Sequence, residues 1–228
     1  MYIDDYLFDP IYCYPRNKCN ILIGREMVIT MHYHMQRIFK KLNFEFPLVC
    51  DKYFDIDEML SMDPYYPMSS NRSASKIKLK ENYFGFAVRV REGCSAIYEV
   101  IYNHRKMHEV ICENEYPYDD LYASIYLHEL YHVIDFDAPG FLNKTDNNSY
   151  ANDLYRRLYD ITGMEDQIQE MIHSKDRFSL VDADFVLDEN EVAAEEFSIL
   201  IRAYICKLCP EDYKMIIDDF NKIINKWL

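Results

Sequence analysis

The sequence predicts an α+β chain: a small mixed sheet, then a helix bearing His128-Glu129-Leu130-Tyr131-His132, then a mostly helical C-terminal half. Three observations carry that expectation. Strand-like runs at Tyr83–Val90 and Ala96–Tyr102 flank the turn residues Arg91-Glu92-Gly93, as in a hairpin. Leu121, Ile125, His128 and His132 recur at three- and four-residue steps, the spacing of one helix face. Beyond them, apolar residues keep the helical period almost to the end of the chain.

Taken in order, Arg25–Leu42 reads as a helix, with Met27, Met31, His34, Ile38 and Leu42 on one face. Phe46–Cys50 adds a strand to the hairpin, and Ser61–Ser75, with two prolines and a run of Ser and Asn, reads as a loop that either borders a cleft or is disordered filler. Pro117-Tyr118-Asp119-Asp120 starts the next helix, where an aspartate caps free N–H groups and favours the dipole. Asp137-Ala138-Pro139-Gly140 ends it, because Pro139 cannot continue a helix and Gly140 permits a turn. Short helices follow near Ser149–Thr162 and Met164–Ser174. A helix holding Glu191 ends near Pro210, and a last one spans Glu211–Trp227. No repeat, low-complexity stretch or long linker divides the chain, so residues 1–228 read as one domain, an N-terminal helical part (1–80) leading into a core (81–228).

Composition narrows the function classes. A formal charge of −14 disfavours general binding to nucleic-acid phosphates. Met1-Tyr2-Ile3-Asp4-Asp5 lacks the basic and apolar regions of a signal peptide, and no stretch has the length of a membrane span. Seven cysteines without regular spacing suit a reducing compartment, so the expected location is cytoplasmic, with export as an effector the alternative. Cys206 and Cys209 form a CxxC with no second pair nearby and read as helix-end packing.

His128-Glu129-Leu130-Tyr131-His132 carries the chemistry. Histidines four apart on a helix project one above the other, so both imidazoles reach one metal ion, and Glu129 beside the first is placed to act as general base on a water. The bland alternative is a pair of core histidines with Glu129 as a solvated neighbour, but two buried imidazoles flanking a carboxylate are costly unless partnered. A catalytic zinc takes three protein ligands, so a third is needed. A motif extension with histidine at position 138 is absent, since Ala138 stands there; Asp137, Asp146 and His173 lack supporting patterns. The best candidate is Glu191. It shares a helix face with Glu195, four residues on, and Ala194 and Ser198 are small enough to let the helix come close. Glu195 would accept a hydrogen bond from a ligating imidazole. Asp188 followed by Glu191 also reads as a capping box.

HELYH followed by ENEVAAEEFSIL resembles the gluzincin metallopeptidases, and Glu191-x-x-Ala194-x-x-Phe197 is similar to the small cytosolic repressor-cleaving (radiation-response) metallopeptidase family and the minigluzincins. The resemblance covers about 35 residues on two helices. It implies a zincin-like fold, a zinc ion held by His128, His132 and Glu191, and Glu129 as catalytic base. By fold-level analogy an edge strand would take an extended peptide. Tyr131 stands where those families often have Gly, a bulky side chain expected to repack against the sheet, and Glu195 where Asp or Asn is commoner.

The expected activity is hydrolysis of peptide bonds in a restricted protein substrate, with no nucleic-acid or membrane partner. Two alternatives stand beside it. One is a non-catalytic zincin-like interaction protein. The other is a peptide-deformylase-like hydrolase, in which Glu92-Gly93-Cys94-Ser95 would supply Cys94 as a zinc ligand. Tyr131, Tyr150, Tyr155 and Tyr159 are candidates to stabilise an oxyanion. His104 and His108 read as surface or strand-end residues, and His32 and His34 carry still weaker signals.

Overall fold

The computed structural model describes residues 20–46, 49–55, 84–92, 95–114, 118–136, 147–168 and 189–227. Among them the order is α1 (Asn20–Leu42), β1 (Val49–Asp55), β2 (Gly85–Glu92), β3 (Ser95–Tyr102), α2 (His104–Asn114), α3 (Tyr118–Phe136), α4 (Asn147–Thr162), α5 (Glu189–Leu208) and α6 (Pro210–Trp227). The α+β expectation is therefore corrected: the fold is mostly helical. Physically, the helices own the core. Among the residues whose burial is described, Met27, Met31, Leu127, Leu130, Phe197, Leu200 and Phe220 on the helices are all buried, with Val100 and Tyr102 of β3 beside them. The three strands are a short flank, ordered β1-β3-β2, with β1 parallel and β2 antiparallel to β3.

α3 is the hub and packs against α1, α4, α5 and β2. Its sequence explains why: Leu121, Tyr122, Ala123, Tyr126, Leu127, Leu130, Val133 and Ile134 are buried around most of its circumference, the pattern of a central helix. α1 begins five residues earlier than its apolar pattern suggests and ends in a Schellman motif. There Asn43 takes φ 63° while Phe44 N–H donates to the Phe39 carbonyl at 2.9 Å and Asn43 N–H to the Lys40 carbonyl at 3.1 Å. Gly163, at φ 64°, closes α4 by donating to the Tyr159 carbonyl at 2.8 Å. A single residue, the buried Cys209, separates α5 from α6, and Pro210 supplies the preset φ of a first helical residue. Asp212, 1% exposed, then ties α6 to α1 by accepting hydrogen bonds from Arg37 Nη2 at 2.9 Å and from Lys41 Nζ.

α2 has no counterpart in the sequence-based expectation. Asn103 caps it, its Oδ1 accepting the Lys106 N–H at 3.1 Å, while Met107 and Ile111 face the core. His104 is buried at its start, not at the surface. No helix among the described residues is long and apolar enough to cross a membrane. The expected loop 61–75, Cys94, Asp137, Pro139, Gly140, Asp146, His173 and Asp188 lie outside the described residues.

Candidate metal centre

α3 is buried on nearly every side except one stripe, where Ser124, Ile125, His128, His132 and Asp135 are half-buried. The sequence pattern places the two histidines on the inward apolar face. Instead they occupy the strip where the core opens, because neighbouring elements seal the rest of a central helix. α5 lies along that strip. Ala194 and Ser198 are fully buried there, and Ser198 Oγ donates to the Ser124 carbonyl of α3 at 3.3 Å, so small residues do allow the backbones to approach.

The approach brings His128, His132 and Glu191 together. His128 Nε2 lies 2.9 Å from Glu191 Oε2, His132 Nε2 lies 3.5 Å from Glu191 Oε1, and the two Nε2 atoms are 3.2 Å apart. One donor atom from each residue falls within 4.8 Å of the others. Donors about 2.1 Å from a tetrahedral zinc sit about 3.4 Å from one another, so this triangle has the dimensions that three zinc ligands need. The donor chemistry, two imidazoles and one carboxylate, suits zinc as well. Glu195 stands behind His128, its Oε2 3.7 Å from Nδ1, an ion-pair separation longer than a direct hydrogen bond.

Electrostatically the cluster is strongly coupled. Burial opposes a charge on His128, but the carboxylates of Glu191 and Glu195, with Glu129 nearby, outweigh it and push the imidazole up to about 10. Burial likewise works against the Glu191 carboxylate, and the two histidines overcome it, holding that group well below the usual carboxylate range.

Glu129, next to His128 on α3, lies near enough for its charge to act on that imidazole and reaches toward β2. It is 4% exposed, and its carboxyl lies against the backbone of Gly85 on β2. A Cβ at position 85 would stand 3.1 Å from Glu129 Oε1 and 3.2 Å from its Cγ, so a side chain there would press the carboxylate a few tenths of an ångström out of its present seat. Sequence reading missed this role for Gly85, although a lone glycine opening a strand is a signal for close approach.

The tyrosines divide. Tyr131 does not repack against the sheet; its ring lies between α4 and α5, with centroids 5.8 Å from both Tyr155 and Phe197. Tyr150 and Tyr155 hydroxyls donate to the backbone carbonyls of Glu45 and Ala193, which removes both as oxyanion donors. Glu196, beside Glu195, was not singled out by its sequence; burial pushes its carboxyl up to about 7.

No protein-family model, curated protein or solved structure matches the chain. The geometry of these side chains is therefore what bears on function.

Proposed function

We propose that this protein is a zinc-dependent metallopeptidase of gluzincin type. The observation that supports the reading is the convergence of His128 Nε2, His132 Nε2 and the Glu191 carboxylate from two helices at ligand spacing, with a buried glutamate next to the first histidine. A capping or surface role for Glu191 would not require both imidazoles to face it.

Zinc bound by these three residues would polarise a scissile carbonyl and lower the pKa of water. Glu129 takes the proton from the attacking water and delivers it to the leaving amine. Its buried seat against Gly85 keeps bulk water from competing for that proton. Glu195 holds the orientation of His128 through charge at Nδ1. The substrate class is a protein or peptide.

Zinc stoichiometry in the wild type beside His128→Ala and Glu191→Ala tests the centre: one equivalent in the first and none in either variant is expected. Catalysis is tested separately with Glu129→Gln on a mixed peptide library, scored by mass spectrometry for new termini. Retained zinc with cleavage abolished is the expected result. A Glu129→Gln protein that cleaves normally, or a wild type that holds zinc and generates no new termini, would make the centre a structural one in an interaction protein.

A further inference from the structure

We propose that Tyr155, with the ring of Tyr131 packed edge-on against it, bridges α3 and α5 and fixes the position of Glu191, which makes Tyr155 a positioning residue for the metal centre. This inference rests on the metal-centre reading above and deepens it.

Glu191 is the third residue of α5. The first turn of a helix frays, since its N–H groups have no partners within the helix, so a ligand placed there needs an anchor from elsewhere. The Tyr155 hydroxyl, from α4, supplies one by donating to the carbonyl of Ala193. Ala193 sits midway between Glu191 and Glu195, the two carboxylates that face His128. A carbonyl oxygen has a second lone pair, so it accepts this bond without giving up its place in the helix.

Tyr131 closes the bridge from the other side. It is next to His132 in the chain, and its ring centroid lies 6.1 Å from that imidazole. Its ring meets Tyr155 edge-on, 5.8 Å between centroids with planes at 73°. Burial first, then the neighbouring Tyr131 and the Glu196 charge, keep the Tyr155 phenol protonated far above the ordinary range, so the donor is permanent. The turn of α3 that holds one ligand is thereby joined through α4 to the turn of α5 that holds another. Tyr131, bulky where the resembling families often carry glycine, has a task that glycine could not perform.

Phe197 also packs on both tyrosine rings, at 5.8 and 6.2 Å, so removing only hydroxyls leaves the aromatic packing intact. Tyr159, one turn along α4, is the internal control: its buried hydroxyl has no hydrogen-bond partner among the described residues. The experiment compares full-length wild type, Tyr155→Phe, Tyr131→Phe and Tyr159→Phe. Zinc affinity is measured by chelator competition, and the visible spectrum after cobalt(II) substitution reports ligand geometry. Tyr155→Phe is expected to weaken zinc about tenfold and to shift the cobalt bands. Tyr131→Phe, which keeps the ring contacts, and Tyr159→Phe should both leave affinity and spectrum within about twofold of wild type. A Tyr155→Phe protein with wild-type affinity and spectrum overturns the bridge, as does an equal loss in Tyr159→Phe. A wild type that binds no zinc overturns the metal-centre reading itself, a result plainly different from either.

Discussion

Zinc uptake by this protein should be coupled to proton release, with a size that follows from the cluster around His128. In the metal-free protein the carboxylates overcome burial and raise that imidazole to about 10. A metal ligand must be deprotonated, so between pH 6.5 and 10 zinc competes with one proton. The apparent zinc association constant should rise about tenfold per pH unit across that window, or about 1.4 kcal/mol per unit. The sign for stability is opposite. A histidine whose pKa is raised on folding contributes stability that is fully present below 6.5 and is lost as pH climbs toward 10. Metal-free protein should therefore lose about 3 kcal/mol of stability from His128 between pH 7 and pH 9, whereas the zinc-loaded protein should not. Chelator competition at several pH values gives the first slope, and urea denaturation with and without EDTA gives the second. Glu191→Gln, which keeps the shape and removes the charge, should flatten the metal-free curve. A zinc affinity independent of pH over this window, or parallel denaturation curves for the two forms, would refute the coupling.

Three further outcomes test the scaffold around the centre. Gly85→Ala puts a Cβ 3.1 Å from Glu129 Oε1 and 3.3 Å from Ile125 Cγ2, so peptide cleavage should fall at least about tenfold with zinc affinity unchanged, measured on one preparation. Asp212→Ala removes the buried acceptor of Arg37 and Lys41; because both cations are half-exposed and can return to water, urea denaturation should show a loss of about 2 kcal/mol. His104, stacked between Tyr102 and Tyr122 and pushed down to about 3 by burial and then by the Arg25 charge, must stay neutral in the fold. Its contribution is present above pH 6.5 and disappears as pH falls toward 3. The wild type should thus lose about 2 kcal/mol between pH 6.5 and 5 relative to His104→Gln, read from paired denaturation curves.

Much of the helical architecture was legible because periodicity and end signals agree. Pro210, the expected helix near Ser149–Thr162 and the Met27–Leu42 pattern all mark boundaries that the structure places within a few residues. The class was misread because strand-like runs declare themselves strongly in sequence regardless of how much core they bury. β2 and β3 span eight residues each and β1 seven, against helices of 11 to 23 residues that make up most of the described chain. α2 was overlooked for the converse reason. Asn103 as cap with Met107 and Ile111 one turn apart was a fair signal, but the His104/His108 spacing drew attention to polar residues and away from that apolar pair.

The candidate site shows a sharper division between what local spacing conveys and what only packing can. His128 and His132 share a stripe by helical geometry alone, and Glu191 follows from one helix having small residues to present to another; each inference needs a few neighbouring letters. Tyr131 cannot be understood that way. Its meaning depends on Tyr155, 24 residues later on a different helix, and on a backbone carbonyl of Ala193 that has no side-chain signature at all. Glu129 is similar, since its seat is defined by the missing side chain of Gly85 on a strand more than 40 residues before it. Residues that would bind metal or move protons are therefore recognisable by type and interval. Those that hold them in place are tied to backbone atoms and to distant partners, and they surface only when the chain is folded.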